Sequence, residues 1–318
     1  MLKTTAIVTG GAGFIGSHLV DMLLADGRQV VVIDDLSTGR AARVADEATL
    51  EMVDITDRAS LDRVVDRAGP SVIFHLAAQA SVTASVKDPQ RDCEVNVQGT
   101  LNVLEAATRH RAPVIITSTG GALYGTRAPI PTPETWIPAP ISPYGASKWA
   151  AEAYVVTWRE ATGLPHSVCR LGNVYGPRQS PHGEAGVVAI FCLRLWRGEP
   201  PTLFGFGKPT RDYVHVHDVA RALLAAEGKP GTFNVSTGRE TGVLEVFEAV
   251  REAAAGTAVV PELAPLREGE LERSCIDPAA AERELGWRAE VDVRDGLLST
   301  YHAMIAEFEA DAGKADVR

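Results

Sequence analysis

The chain of 318 residues lacks any apolar run near the ~18 residues that a membrane-crossing helix requires. Positive charge is in deficit: 31 Lys and Arg stand against 41 Asp and Glu, a formal charge of −10. That balance argues against nucleic acid or an anionic membrane as a general partner, while leaving room for a local basic site that binds a small anion. Cysteine is scarce. Cys93, Cys169, Cys192 and Cys275 form neither a CxxC pair nor a metal-ligand spacing, so free thiols in a reducing cytoplasm and no metal are expected. There is no internal repeat and no low-complexity segment. A glycine motif begins at residue 10 after one short strand, so no signal peptide is expected. What the chain does have is 45% hydrophobic residues at a mean hydropathy near zero, enough for one large or two smaller cores.

In the first half, short Val/Ile-rich runs alternate with longer amphipathic stretches. Strands are expected at 5–9, 29–33, 50–53, 71–75, 113–117 and 164–171, and helices at 14–25, 61–67 and 94–109. Continuous apolar runs suit strands buried on both faces. The alternation predicts parallel strands with right-handed crossovers, an α/β doubly wound parallel sheet. From 172 to 183 Pro, Gly and His become frequent, which predicts a long loop. Helices are expected at 187–197, 216–226, 243–255, 278–285 and 293–308, with a strand at 233–235 and fraying from about 311. The expected division is a cofactor domain over 1–171, rejoined by 213–240, and a smaller C-terminal α/β substrate domain over 172–212 and 241–311.

Two motifs carry the chemistry. Gly10-x-x-Gly13-x-x-Gly16 follows a strand and opens a helix with Phe14 and Ile15. Glycines there allow a tight turn and let backbone N–H groups approach a pyrophosphate at a helix N-terminus. Asp34, followed by Asp35, ends the second strand, where a carboxylate accepts ribose hydroxyls and repels a 2′-phosphate; Arg40 is the nearest following cation. NAD is therefore favoured over NADP. Asp54 and Ile55 follow the third strand, in position to flank an adenine. The second motif is Tyr144-x-x-x-Lys148, whose side chains share one helical face. An ammonium beside a phenol lowers its pKa from ~10 and makes it usable as a base. Ser118 and Thr119 lie just beyond the strand 113–117, at the carboxyl end where ligands of such sheets bind. A base next to a nicotinamide points to hydride chemistry at an alcohol carbon.

Further ordered blocks extend the pattern. They are His75-Leu76-Ala77-Ala78-Gln79, Asn96-Val97-Gln98-Gly99-Thr100, Ser118-Thr119-Gly120-Gly121-Ala122-Leu123-Tyr124-Gly125 and Asn173-Val174-Tyr175-Gly176-Pro177-Arg178-Gln179. Gly183-Glu184-Ala185-Gly186-Val187-Val188, Arg211-Asp212-Tyr213-Val214 and Arg267-Glu268-Gly269-Glu270 complete the series. From Gly10 to about Leu297 the chain resembles the extended short-chain dehydrogenase/reductase superfamily, and within it the nucleotide-sugar 4-epimerases. The resemblance implies a Rossmann fold, tightly held NAD and a UDP-sugar whose C4 is oxidised to a transient ketone and reduced from the other face. It implies that Tyr144 is the base and that Lys148 also binds the nicotinamide ribose. It adds Leu76, Ala77, Ala78, Gln79, Asn96, Thr117 and Leu171 to the cofactor site. Asn173, Val187, Arg211, Arg267 and Glu270 fall on the substrate side, with Phe204 as the uracil candidate. It also implies a homodimer.

The chain departs from that pattern where the catalytic hydroxyl is expected. Counting back from Tyr124 places Gly120 there, so Thr119 or Ser118 must supply it, with Thr119 favoured. Related dehydratases carry adjacent acids in this segment and the decarboxylases a Glu; Gly121 and Ala122 stand there instead. The sugar is left open. Ser274 at the gate position admits an N-acetyl group. Ser180, where neutral-hexose relatives often have Asp, removes one repulsion against a uronate, whose charge Arg178 or Arg194 would meet. UDP-glucose/UDP-galactose is favoured, then UDP-glucuronate, then the N-acetyl sugars. His75 reads as structural.

Overall fold

A computed structural model describes residues 4–182, 186–267 and 270–315. Of the blocks above, Gly183, Glu184, Ala185, Glu268 and Gly269 lie outside the described residues. The elements run β1 (Thr5–Thr9), α1 (Phe14–Ala25), β2 (Gln29–Asp34), β3 (Thr49–Met52), α2 (Arg58–Ala68), β4 (Val72–His75), α3 (Val82–Lys87) and α4 (Pro89–Cys93). A π-helical turn (Glu94–Gln98) then leads into α5 (Gly99–Arg109), β5 (Val114–Thr119), α6 (Pro143–Thr162), β6 (Ser167–Leu171) and β7 (Asn173–Tyr175). The remainder is α7 (Val187–Trp196), β8 (Thr202–Phe204), β9 (Thr210–Arg211), β10 (Tyr213–His215), α8 (Val216–Ala225), β11 (Gly231–Val235), β12 (Thr241–Gly242), α9 (Val243–Ala253), β13 (Glu262–Ala264), α10 (Ala279–Leu285) and α11 (Val293–Ala315).

Seven strands form one sheet in the order β11-β6-β5-β4-β1-β2-β3, every neighbouring pair parallel. Strand alternation sends Ala6, Val8, Val32 and Phe74 to one face, where they pack with Leu19 and Leu23 of α1 and Leu223 of α8. Ile7, Ile33, Ile73 and Ile116 face the other way, against Leu61 of α2, Leu104 of α5 and Val155 of α6. Each such fully buried aliphatic chain contributes about 1.5–3 kcal/mol relative to exposure. A third cluster joins Phe191 of α7, Phe247 of α9 and Met304 of α11. The sheet order reverses between β1 and β4, so the crevice at their carboxyl ends is where a ligand belongs.

Several expected boundaries differ; β5, expected over 113–117, runs to Thr119. The helix expected over 94–109 begins at Pro89 and passes through the π turn, where the Thr100 hydroxyl donates to the Asn96 carbonyl at 2.6 Å. The strand expected from 164 starts at Ser167, because Gly163 ends α6 in a left-handed conformation and Pro165 has no N–H to pair. The loop from 172 contains β7, which pairs with β10. The last helix runs to Ala315 rather than ending at 308: Arg40 meets Asp311 at 3.1 Å, and Phe308 packs against Trp196.

Candidate active site

The turn from β1 into α1 is shaped by its glycines. Gly10 has φ +72°, and a Cβ there would lie 2.7 Å from the Ala77 nitrogen; a Cβ on Gly16 would lie 2.2 Å from the Gly10 carbonyl oxygen. Helix α1 starts at Gly13 with no side-chain cap and no acid in its first turn, so its leading N–H groups are available to an anion. Asp34 closes β2 from beside this turn. Its carboxylate accepts the Ala12 N–H at 3.0 Å and the Leu36 N–H at 2.9 Å, which opposes the upward pull of burial on its pKa. Each oxygen retains lone-pair capacity for a ribose hydroxyl. Asp35 is exposed and bonds Ser37. Arg40 is turned to α11 and its acids, away from any role with a 2′-phosphate. An NAD-sized anionic dinucleotide thus fits the donor set.

The walls of this crevice come from the ends of β3, β4 and β5. The Thr9 hydroxyl receives the Leu76 and Ala77 N–H groups, each at 3.2 Å, while Asn96 clasps Gln79 from both sides, donating to its carbonyl and accepting its N–H. Asn96 also donates to the Ser147 hydroxyl, so its amide is spent on holding the loop with Ala78 against α6. Asp54 pairs with Arg91 at 2.9 Å. The Ile55 side chain is buried in the core, which leaves its backbone to flank a base. Thr117 and Leu171 are buried on neighbouring strands. His75 is structural, with both ring nitrogens bonded, to Thr9 at 2.7 Å and Thr100 at 3.0 Å; burial pushes its pKa down to about 3.

Strand β5 runs on through Ser118 and Thr119, so their side chains point to opposite faces. The Thr119 hydroxyl lies near the Tyr144 phenol and receives the Ala122 N–H at 3.2 Å, whereas the Ser118 hydroxyl is buried without a partner among the described residues. At Gly120 a Cβ would lie 2.5 Å from the end of the Ile276 side chain, which would have to move aside to admit one. Ser142 caps α6 by accepting the Gly145 N–H, and Ser85 of α3 accepts the Tyr144 N–H at 3.1 Å. Tyr144 and Lys148 follow on one face. The expected lowering of the phenol pKa is not intrinsic to the protein: burial, reinforced by Asp92, pushes Tyr144 up to about 12, against the nearby Thr119 hydroxyl. Burial lowers Lys148 to about 8, with Glu152 and Asp92 opposing the fall. A phenolate near neutral pH therefore needs further positive charge in the site.

On the substrate side, Asn173 of β7 lies beside Gly121, its amide oxygen 3.7 Å from where a Cβ on that glycine would be. Arg211 of β9 is half-buried and bonded to the Thr210 carbonyl at 2.8 Å. The Arg267 guanidinium stacks 3.8 Å above the Phe204 ring and pairs with Glu270 at 3.4 Å. Val187 opens α7, remote in sequence from these groups and partly buried against its core. A cavity of about 430 Å³ opens between Gly120–Gly121 and Ser274, with Glu270 and Glu272 on its lining. Arg178 pairs with Asp21 at 2.7 Å and Arg194 with Glu199 at 2.6 Å, so neither is poised for a sugar carboxylate.

Sequence reasoning missed Asp92 and the Glu152–Arg170 pair. Glu152 sits four residues beyond Lys148, and Asp92 four before Asn96, spacings that mark one helical face. Arg170 of β6 grips Glu152 through Nε and Nη2 and donates to the Tyr124 hydroxyl at 2.8 Å.

Three comparisons bear on this arrangement. Residues 7–300 match the family model described as GDP-mannose 4,6 dehydratase. A UDP-glucose 4-epimerase of Mycolicibacterium smegmatis is 47% identical over 303 residues, spanning 92% of this chain and 96% of that protein. The crystal structure of a UDP-glucose 4-epimerase of Thermotoga maritima with UDP-glucose superposes with a TM-score of 0.93 at 43% identity, covering 96% of this chain and all of that one. The Thermus thermophilus UDP-glucose 4-epimerase, a complex with NAD, gives 0.88 at 44% identity, covering 94% and 98%.

Proposed function

Because the chain belongs to the GDP-mannose 4,6-dehydratase family of extended short-chain dehydrogenases/reductases, we propose that it is an NAD-dependent UDP-sugar 4-epimerase acting on UDP-glucose and UDP-galactose. The observation that carries this reading is Tyr144 with buried Lys148 one turn on along α6, near the Thr119 hydroxyl at the carboxyl edge of the sheet that also holds the glycine turn. Bound NAD supplies a two-electron acceptor, and then donor, for the sugar carbon, so the overall conversion is an isomerisation. The oxidised nicotinamide is also the extra positive charge that the Tyr144 phenol needs.

The chain's own residues do the rest. Tyr144 takes the proton of the 4-hydroxyl and gives it back, while Thr119 holds that hydroxyl in line. Lys148 fixes the cofactor ribose and favours the phenolate. Gly10, Gly13 and Gly16 cradle the pyrophosphate, and Asp34 binds the adenosine ribose. Arg211 and Asn173 meet the substrate diphosphate, for which a charge-assisted guanidinium contact is suited. Phe204, Arg267 and Glu270 form the uridine end. Residues 1–171 with 213–240 serve the cofactor and 172–212 with 241–311 the UDP-sugar, a division supported by β11 lying in the main sheet and by the separate core of α7, α9 and α11. Exposed Trp149, Tyr154 and Val156 on α6 support a homodimer.

Gly121 and Ala122 provide no acid for elimination or decarboxylation. The second substrate reading is an N-acetylated UDP-sugar, favoured by the cavity beside Ser274. The uronate now ranks behind it, because Arg178 and Arg194 are engaged elsewhere and Glu270 and Glu272 border the cavity. Incubation with UDP-glucose, UDP-N-acetylglucosamine and UDP-glucuronate, followed by chromatography of the C4 epimers, should give galactose-configured product from the first and little or none from the third. A uronate preference, or release of water or carbon dioxide, would overturn the assignment.

A further inference from the structure

Two carboxylates face the Lys148 ammonium, and they are not equivalent. Glu152, one turn further along α6, is the stronger support of the Lys148 charge and is itself gripped by Arg170 at 2.7 Å. Asp92, on α4, is 1% exposed and makes no ion pair among the described residues. Among the described residues its Oδ1 accepts from two neutral amides, Gln79 Nε2 at 2.7 Å and Asn96 Nδ2 at 3.2 Å. His75, the remaining titratable group beside Lys148, is neutral and bonded at both nitrogens. A buried carboxylate with no cation of its own is costly, and such charges persist where an opposite charge compensates them.

The surrounding contacts tie Asp92 to the catalytic helix. Asn96 Nδ2 bonds both the Asp92 carboxylate and the Ser147 hydroxyl, the latter at 3.0 Å, and Ser147 donates to the Tyr144 carbonyl. The π turn that begins two residues after Asp92 carries Asn96 into this position, and such turns recur at functional sites.

We propose that Asp92 is a positioning residue for the Tyr144–Lys148 pair, its buried carboxylate, which has no ion-pair partner among the described residues, acting with Glu152 as counter-charge to the Lys148 ammonium beside the phenol. This rests on the epimerase reading and deepens it. The negative charge raises the proton affinity of both groups: it opposes the burial that lowers Lys148, and it adds to the burial that raises Tyr144. Its removal therefore moves both in one direction, downward.

The test compares the NAD-loaded protein with Asp92→Asn and the smaller Asp92→Ser. Both limbs of the kcat–pH profile should shift to lower pH by roughly one unit, the effect expected of a nearby charge, and Asp92→Glu should restore them. Independently of turnover, the ¹³Cε shift of Lys148 in lysine-labelled protein, assigned with Lys148→Arg, should titrate near about 8 in the parent and lower in both neutral variants. A role in folding alone would reduce the height of the profile and the melting temperature while leaving the limbs and the Lys148 titration in place; that result overturns the proposal. Absence of epimerisation by the parent protein would instead sink the reading beneath it, and the lysine titration would still decide the question of Asp92.

Discussion

Tyr144→Phe should reduce kcat by roughly 10³-fold, about 4 kcal/mol of transition-state stabilisation, while NAD and UDP-sugar still bind. The substitution removes one oxygen atom from a site whose shape is set by other groups. Ser142 and Ser85 hold the start of α6 through backbone N–H bonds, and neither depends on the phenol. What disappears is the group that accepts the 4-hydroxyl proton, next to the Thr119 hydroxyl. Steady-state kinetics alongside calorimetric titration with UDP separates the two effects. A fully active variant would remove Tyr144 from the role of base.

Glu152→Ala should destabilise the protein by about 3–5 kcal/mol, because it leaves the Arg170 guanidinium buried and without its charged partner. Arg170 and Glu152 side chains are 7% and 4% exposed. Arg170 would retain the Tyr124 hydroxyl and the Glu134 carbonyl, neither of which carries compensating charge at neutral pH. At roughly 2–3 °C per kcal/mol for a chain of this class, the melting temperature should fall by about 10 °C. The double replacement Glu152→Leu with Arg170→Met should recover most of the loss, since a well-packed apolar pair has no desolvation to repay. If Glu152→Ala melts with the parent protein, the buried pair is not what joins α6 to β6.

The parts of the site that were legible in the sequence are those whose geometry is local. The glycine turn needs only seven consecutive residues and a strand before it. Tyr144 and Lys148 share a face because a helix repeats every 3.6 residues. Ser118 and Thr119 point to opposite faces because β5 runs through both residues, beyond the expected strand 113–117. Asp92 was invisible for a different reason: its proximity to Lys148 comes from α4 packing beside α6, and the π turn between α4 and α5 breaks the helical phase by which the segment would be read. The engagement of Arg178 with Asp21, and of Arg40 with α11, likewise depends on contacts between distant segments. The first contact removes a candidate cation for a sugar carboxylate, and the second one for a 2′-phosphate. Ile276, which closes the position of the missing Gly120 hydroxyl, comes from more than 150 residues away in the sequence.

The central claim is that C4 is oxidised and reduced within one active site, with Tyr144 handling only the hydroxyl proton. Epimerisation of UDP-[4-²H]glucose tests it most directly. The account predicts a primary kinetic isotope effect and UDP-galactose that retains deuterium at C4, with none released to water. Deuterium lost to solvent, or inversion at C4 without any isotope effect on the chemical step, would contradict it.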